Sequence, residues 1–290
     1  MSDESVVAAV ILNYRNPEDT IASARSITSS TYAKCYVIVV DNGSADGSVR
    51  RIQEALPEVQ LLVSEQNLGF SAGVNLGIEH ALHLGAGYVW LLNNDAVADP
   101  RCLERLVRVT AKDSTVGVAV PKIYYADDPT RIWSAGARWE GFPPRVKMIG
   151  LGERDSPKYD RQQDVDYATG CAMLIPRHIF ESIGFFDPVY FMYQEDYDFC
   201  HRVRKAGFRI LYVPRSHVWH KVSQSLGEGS PDKWYLWSRS AVVFYRKYFS
   251  LPALLCFLGW VVARELARGS LSALPPLVRG ARDGVRIGAP

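Results

Sequence analysis

The sequence predicts an α/β fold in which a mostly parallel sheet is flanked by helices. Apolar runs typical of strands alternate with stretches typical of helices through the first 93 residues, which is the pattern of βαβ units. The runs are rich in branched and aromatic residues, as expected for strands that are covered on both faces. With 290 residues, of which 48% are hydrophobic and 22% charged, the chain can bury a large core.

The first part of the chain is typical of a nucleotide-binding half, because its strands and helices follow one another in strict alternation. We predict strands at residues 6–13, 36–41, 59–63, 88–93 and 116–120, and helices at 17–30, 46–56 and 71–84.

The pattern breaks down between about residues 124 and 166, where Gly, Pro, Trp and charged residues are mixed. A stretch of this length is expected to be either a functional lid or poorly ordered. Order returns with YATGCAMLIPR, a predicted strand, followed by a loop, a helix that ends near Gly207 and another strand.

The C-terminal part predicts a helical appendage. An aromatic-rich helix is expected at 234–249, followed by FSLPALLCFLGWVVA, which is shorter than the roughly 20 apolar residues of a membrane span. The chain from Arg246 onward carries a net charge of +5. These features favour an interfacial helix on an anionic membrane surface. The alternative is a helical pair that closes over the body or forms a dimer. The basic residues that flank the Leu, Trp and Val positions of this part are Arg264, Arg268, Arg279, Arg282 and Arg286.

Composition excludes several classes of protein. A formal net charge of +2 gives no nucleic-acid signature. The cysteines are odd in number and form no CxxC pair, which predicts neither a zinc site nor a disulfide framework. The N-terminal region lacks the basic start and cleavage site of an export signal, so we expect a cytoplasmic protein. The cysteines are Cys35, Cys102, Cys171, Cys200 and Cys256.

The run YVWLLNNDA ends a predicted buried strand with two amides and one carboxylate, Asp95. Ligands of open α/β sheets collect beyond the carboxyl ends of strands, and a carboxylate there suits Mg²⁺ or Mn²⁺ carrying a diphosphate. The alternative is an ordinary strand-to-turn transition, since Asn and Asp favour turns.

Two further segments offer candidate ligand contacts. Asp41 opens DNGSADGS at the end of a strand, where it either accepts hydrogen bonds from a nucleoside or belongs to an Asn-Gly turn. The segment NLGFSAGVNLGI places glycines and Asn75 around a helix start, which suits either a ribose or phosphate contact or close helix packing.

Glu195 and Asp196 begin a predicted helix, EDYDFCHRVRKAG. Acidic residues in a first turn are favoured by the helix dipole, so they are either caps or include a general base. The helix field would keep such a base ionised and oppose a rise in its pKa. His220 is either structural or a metal ligand.

In their order along the chain, these motifs resemble the family 2 glycosyltransferases of the GT-A fold, which is a Rossmann-like fold, and among them the bacterial rhamnosyltransferase-like group. The resemblance covers about residues 6–225. The segments that carry it are VVAAVILNYRN, VVDNGSADGS, NLGFSAGVNLGI, WLLNNDA, TGCAMLIPR, FFDPVYFMYQEDYDFCHRVRKAG and HKVSQS.

The resemblance implies a metal-dependent, inverting transfer of a sugar from a nucleoside diphosphate to a hydroxyl. It implies that Asp95 and His220 bind Mg²⁺ or Mn²⁺ and that Asp196, beside Glu195, is the catalytic base. The family motif commonly begins with Asp where this chain has Asn93. The residues implied for the nucleotide sugar are Asn13, Asp41, Asn67, Gly69, Asn75, Asn93, Asn94 and Asp95.

We therefore expect a catalytic domain at 1–230, with a nucleotide-sugar half at 1–122 and an acceptor and base half at 123–230, and a helical segment at 231–290. The expected donor is dTDP-L-rhamnose, and the expected acceptor is a glycan or a polyprenyl-linked precursor of a cell-surface glycan. Alternatives are UDP-galactofuranose or a UDP-hexose as donor, a nucleotidyltransferase, or a non-catalytic sugar-nucleotide-binding module. A nucleotidyltransferase would normally carry a glycine-rich basic loop after its first strand, and NYRNPED lacks one.

Overall fold

A computed structural model of the chain describes residues 5–222 and 230–287. Its first part follows the predicted alternation, and every predicted helix and strand up to residue 93 is confirmed, with ends within two residues of the prediction. Strands β1 (Val7–Asn13), β2 (Cys35–Asn42), β3 (Gln60–Ser64) and β4 (Tyr88–Leu92) alternate with helices α1 (Pro17–Thr28), α2 (Ser48–Ala55) and α3 (Gly69–His83).

Up to residue 220, the chain continues with eight more strands and three more helices. In order these are β5 (Ala96–Ala98), α4 (Cys102–Lys112), β6 (Val116–Tyr125), β7 (Ile132–Ser134), β8 (Ala137–Glu140), β9 (Arg145–Met148), β10 (Gln163–Val165), β11 (Ala172–Pro176), α5 (Arg177–Ile183), α6 (Glu195–Lys205) and β12 (Arg209–His220).

The main sheet has the order β10-β12-β6-β11-β4-β1-β2-β3, with β5 on β12 and β7 on β6. Strands β1 to β4 pair in parallel, as do β6 and β12, whereas β11 runs antiparallel between β4 and β6. The sheet is therefore mixed, with the longer strands parallel. This arrangement brings the carboxyl ends of β1, β2 and β4 to one edge.

Alternate residues of each central strand face two separate cores, because side chains of a strand point to opposite faces. In β1, Ala8 and Val10 face α3, α5 and α6, whereas Ala9 and Ile11 face α1, α2 and α4. Helix α3 packs closely on the sheet because a Cβ at Gly77 would lie 2.5 Å from Val10 Cγ1.

The irregular stretch between β6 and β11 is folded, so poor order is the wrong alternative for it. Strand β7 pairs with β6 and strand β10 with β12, and Lys122 of β6, which is 1% exposed, holds the segment before β10. The Lys122 Nζ donates to Asp155 Oδ1 at 2.9 Å and to Asp160 Oδ1 at 2.8 Å. Sequence pattern alone missed this fold because its strands have only three or four residues.

The C-terminal part forms α7 (Pro231–Tyr248), α8 (Leu251–Ala267) and α9 (Leu274–Arg286). These helices share a hydrophobic cluster with Tyr190 of the body, and the ring of Phe244 stacks on Trp139 at 5.9 Å. Helix α7 thus packs on the body, as one alternative for this segment predicts. Among the described residues, no helix has the length and apolar character needed to cross a membrane.

Candidate active site

A cavity of about 340 Å³ opens at the carboxyl ends of β1 and β4 and beside the start of α6. Carboxylates, amides and aromatic rings share its lining. The polar and charged lining residues are Asn42, Asn67, Asn93, Asn94, Asp95, Thr169, Glu195, Asp196, His220 and Lys233, and the larger apolar and aromatic ones include Tyr14, Phe70, Trp133, Met148, Tyr167, Met192, Tyr193 and Tyr197.

Asp95 and His220 meet although 125 positions separate them in the sequence. His220 ends β12 and is the register partner of Ala96 in β5, so the antiparallel pairing places it beside Asp95. His220 Nε2 lies 3.0 Å from Asp95 Oδ1, and the imidazole is 3% exposed. The two atoms form a charge pair across this distance, and neither has another hydrogen-bond partner. They are placed to share a cation in place of the imidazole proton.

In the absence of a cation, the imidazole of His220 carries a proton, which a metal ion would replace because a ligating imidazole is neutral. Burial lowers the pKa of His220, but the neighbouring Cys171 thiol and the Asp95 carboxylate raise it to about 10. The edge of the Trp133 indole covers the imidazole, with ring centroids 4.5 Å apart.

The residues present fit a divalent ion that also takes ligands from a substrate. The described part of the chain holds no group of three or more His, Cys, Asp or Glu side chains that could bind a metal alone. Mg²⁺ typically uses one or two carboxylates plus substrate phosphates. Asp95 and His220 therefore suit a cation carried by a diphosphate better than a self-contained metal centre.

Asp196 is held by three donors. Its Oδ2 accepts hydrogen bonds from the Tyr167 hydroxyl and from Gly170 N, the latter at 3.1 Å, and its Oδ1 accepts one from Tyr197 N at 2.9 Å. Burial raises the pKa of Asp196, and these hydrogen bonds only partly oppose the rise. The helix field is expected to oppose this rise, but burial is the larger effect.

The surroundings of Glu195 contrast with those of Asp196, which accepts three hydrogen bonds. Burial and the charge of Asp196 raise the pKa of Glu195 well above its usual value, and Glu195 Oε2 has no hydrogen-bond partner. Since the two carboxyls repel each other when both are charged, the better-solvated Asp196 carries the charge and Glu195 carries the proton. Asp196 is accordingly the better placed of the two to accept a proton.

The backbone before α6 is strained in a way that aims both carboxyls into the cavity. Tyr193 and Gln194 have φ values of 69° and 68°, which side-chain-bearing residues rarely adopt. Neighbouring side chains hold this loop: Ser71 Oγ donates to Tyr190 O at 2.6 Å, and Ser240 Oγ donates to Met192 O at 2.8 Å.

Asp198, one turn into α6, ties this helix to α7. It is fully buried and accepts hydrogen bonds from Lys247 Nζ at 2.8 Å, Tyr248 Oη at 2.7 Å and Arg202 Nε at 2.7 Å. Burial raises the pKa of Asp198, but Arg202, Lys247 and Tyr248 together lower it below its usual value. Lys247 and Tyr248 are supporting residues that the sequence did not indicate, since about 50 positions separate them from their partner.

Asn13 and Asp41 are register partners in β1 and β2 and lie behind the cavity lining. Asp41 Oδ1 accepts hydrogen bonds from Asn13 Nδ2 and from Ser44 Oγ, both at 2.6 Å. Asn13 Oδ1 accepts one from Thr20 Oγ1 at 2.7 Å. The network shapes the wall beside Tyr14 and Asn42.

Asn42 lines the cavity, whereas the sequence pattern indicated its neighbour Asp41. Its Nδ2 donates to Asn67 Oδ1 and to Gly69 O, both at 3.0 Å, and its Oδ1 accepts from Leu68 N. Gly69 has a φ of +79°, and a Cβ there would lie 2.3 Å from Phe191 O. Glycine is therefore required where this loop meets the segment that leads to α6.

Asn75 does not line the cavity. Its Nδ2 donates to Phe186 O at 2.7 Å, and its Oδ1 accepts from Phe186 N at 3.1 Å. With both ends of the amide used on backbone, Asn75 fixes the loop before α6, a different role from the ligand contact that the resemblance implies.

Asn67, Gly69, Asn93 and Asn94 do line the cavity, together with Asp95, Glu195, Asp196 and His220. Ser223 and Ser225 of the HKVSQS segment lie outside the described residues. Tyr167 and Gly170 were inside a recognised segment, YATGCAMLIPR, but nothing local marked them as partners of Asp196. Trp133 and Met148 come from the irregular stretch for which a functional lid was one alternative, and Lys233 comes from a part of the chain that gave no signal of a ligand contact.

Known proteins resemble this chain over most of its length. The model of the family "Glycosyl transferase family 2" matches residues 9–184. N-acetylglucosaminyl-diphospho-decaprenol L-rhamnosyltransferase of Mycobacterium tuberculosis is 26% identical over 282 residues, covering 85% of this chain and 84% of that protein. Galactofuranosyltransferase GlfT1 of the same organism is 38% identical over 129 residues, which is 43% of this chain and 42% of that protein.

A solved structure shares the fold. The crystal structure of GalNAc-T7 with UDP, GalNAc and Mn²⁺ superimposes with a TM-score of 0.65 at 18% sequence identity. The match covers 86% of this chain and 50% of that chain, so this chain spans about half of the matched structure.

Proposed function

The chain belongs to glycosyl transferase family 2, and on this basis we propose that it transfers L-rhamnose from dTDP-L-rhamnose to an acceptor hydroxyl with inversion. It is a glycosyltransferase with a GT-A-like fold. The observation that supports the proposal most is that Asp95, His220 and Asp196, from three distant parts of the sequence, line one cavity.

In the proposed reaction, Asp196 removes the proton of the acceptor hydroxyl while the acceptor oxygen forms a bond to the anomeric carbon. The electrons of the broken bond leave with the nucleoside diphosphate, so no covalent enzyme intermediate is needed. Tyr167 and Gly170 orient the carboxylate, and the aromatic lining excludes water. Asp95 and His220 would hold Mg²⁺ or Mn²⁺, which stabilises the charge on the departing diphosphate.

The donor is the finer part of the proposal. Rhamnose is favoured because the rhamnosyltransferase relative aligns along 85% of this chain. UDP-galactofuranose is the second candidate, because the galactofuranosyltransferase relative is more similar, although over 43% of this chain only. Both would use the same base and the same cation ligands.

The test is a purified-protein assay with a panel of nucleotide sugars, each with Mg²⁺, Mn²⁺ or a chelator. We expect dTDP-L-rhamnose to raise the melting temperature most in the presence of metal, since a ligand of the folded state stabilises it. Asp196→Asn should lower turnover by about 10²- to 10⁴-fold and leave donor binding intact.

A matched control for this assay is Asp127→Asn, which changes an exposed aspartate that does not line the cavity. Full turnover by Asp196→Asn would overturn the base assignment. A larger thermal shift with UDP-galactofuranose than with dTDP-L-rhamnose would overturn the choice of donor.

We further propose that the acceptor is lipid-linked and that the enzyme meets it at a membrane surface. The apolar face of α8 supports this: Leu251, Leu255, Val262 and Leu266 are 37–65% exposed, and their spacing places them within one narrow stripe of the helix. In α9 the exposed residues are Val278 and Val285 with Arg279, Arg282 and Arg286. Exposed apolar and basic residues together suit an anionic bilayer.

Flotation with anionic vesicles tests the membrane proposal. Leu255→Glu should lower the bound fraction, whereas Val63→Glu should not, because Val63 is equally exposed at 58% but lies in β3. Equal flotation of both variants and the wild type would remove α8 as the contact. We likewise propose the division into a catalytic domain at 1–230 and a helical segment at 231–290. Helix α7 belongs to the helical segment and also packs on the catalytic domain.

A further inference from the structure

One basic residue of the cavity comes from the C-terminal helices. Among the described residues that line the cavity, Lys233 is the single lysine or arginine, whereas Asp95, Glu195 and Asp196 are acidic. A diphosphate brings at least two negative charges into a cavity that already holds ionised carboxylates. A cation at Asp95 offsets part of this charge, and a second positive group is needed beside it.

Lys233 lies on the face of α7 that packs against the body. Lys233, Ser240 and Lys247 are spaced seven residues apart, which puts them on the same side of the helix at intervals of about 10 Å. Ser240 Oγ donates to Met192 O, and Lys247 Nζ donates to Asp198 Oδ1. The side that carries Lys233 is therefore the side packed against α6 and its preceding loop, and Lys233 reaches the cavity that Met192 also lines.

No acidic side chain of the described residues competes for Lys233. Within residues 5–222 and 230–287, no Asp or Glu side chain forms an ion pair with its ammonium group. Its backbone is fixed at the start of α7, because Lys233 N donates to Ser230 Oγ at 3.2 Å. A lysine that lines a cavity and has no ion-pair partner among the described residues can give its ammonium group to an anionic ligand.

We propose that Lys233 binds a diphosphate group in the cavity that Asp95 and His220 also line. The inference rests on the proposed function and deepens it, because it makes α7 a contributor of substrate contacts. The diphosphate has two possible sources in the proposed reaction, the nucleoside diphosphate of the donor and the diphosphate of a polyprenyl-linked acceptor. Both offer the same oxygens to an ammonium group.

The test is calorimetric titration of dTDP and UDP, in the presence of Mg²⁺, into the wild type, Lys233→Ala and Lys233→Arg. We expect Lys233→Ala to weaken binding of the better nucleotide by about tenfold to a hundredfold, as for a charge-assisted hydrogen bond. Lys233→Arg should restore most of the affinity. The loss should shrink as salt rises, because screening weakens an electrostatic contact.

Lys112→Ala is the matched control, since Lys112 is an exposed lysine at the end of a helix and does not line the cavity. Equal melting temperatures of the Lys233 variants and the wild type would show that α7 packing is unchanged. Unchanged nucleotide binding with a tenfold higher KM for a polyprenyl-diphosphate sugar would support the inference and assign the contact to the acceptor.

No change in either quantity for Lys233→Ala would overturn the inference and leave the proposed function standing. If the wild type bound neither nucleotide in the presence of Mg²⁺ or Mn²⁺, the proposed function would fail and the inference with it. The two failures are therefore distinguished by the wild-type titration alone.

Discussion

The two walls of the cavity are built in opposite ways. The β1–β2 wall (Asn13, Asp41, Asn42, Asn67) is a network of amides and one carboxylate in which each polar side chain is paired with a near neighbour. The α6 wall (Tyr167, Gly170, Glu195, Asp196) packs two carboxyls side by side, with raised pKa values and one unpaired oxygen, Glu195 Oε2.

The walls also differ in what supports them. The residues of the β1–β2 wall find partners at neighbouring strand ends and in adjacent loops. The α6 wall follows a strained backbone at Tyr193 and Gln194 and is fixed from outside by α7 through Asp198. The difference indicates that binding geometry is secured locally, whereas the base is held in an unfavourable environment that distant contacts must stabilise.

Lys247→Met tests the external support and should have the largest effect of these changes. It removes one of the cations that pair with the fully buried Asp198. Because breaking a buried ion pair leaves an uncompensated charge, and Lys247 itself is partly exposed, we expect a loss of about 2–3 kcal/mol in the free energy of unfolding. Urea denaturation at neutral pH measures it.

The pH dependence of the lost free energy of unfolding tests whether the charge of Asp198 causes the loss. The pKa of Asp198 is lowered in the folded state, so its contribution to stability is present at neutral pH and is lost as the pH falls through that pKa. The difference between Lys247→Met and the wild type should therefore narrow below pH 3.8, the usual value for Asp. A constant difference would mean that lost packing, not charge, is responsible.

Asn13→Ala tests the other wall. The change removes the amide that donates to Asp41 Oδ1 and accepts from Thr20, both buried hydrogen bonds. We expect about 1–2 kcal/mol of lost stability and weaker binding of the donor, with turnover at saturating donor close to that of the wild type. Steady-state kinetics measure kcat and the KM for the donor in this variant and in Lys247→Met. Each variant is the control for the other, because each disturbs one wall only. Equal losses of kcat in the two variants would contradict the separation of the walls.

The sequence predicted the β1–β2 wall better than the α6 wall for the same physical reason. Strand ends and short loops show in local patterns, so the elements up to residue 93 and the positions of Asp41 and Asp95 beyond strands could be read directly, although Asn42 and not Asp41 lines the cavity. Asp196 and His220 were recognisable only through their order along the chain. The convergence of His220 on Asp95 depends on the pairing of β5 with β12, which no local signal specifies.

What the sequence could not show is burial and long-range packing. The antiparallel β11 and the folded segment around Lys122 depend on contacts between short strands far apart in the chain. The raised pKa of Asp196 also escaped prediction, because the first turn of a helix is favourable to a carboxylate, whereas the burial that opposes it is a tertiary property. Lys233 and Lys247 reach the site only because α7 folds back onto α6.

Tyr167→Phe makes the smallest change and tests the charge of the α6 wall most directly. The Tyr167 hydroxyl donates to Asp196 Oδ2 and lowers the pKa of that carboxyl against the effect of burial. Without it, the pKa of Asp196 should rise further, so the acidic limb of the kcat/KM profile should move to higher pH. We expect turnover at the pH optimum to fall only about threefold to tenfold, the equivalent of one hydrogen bond. If Asp196 were a structural cap and not the base, the substitution would change the melting temperature and leave the position of this limb unchanged.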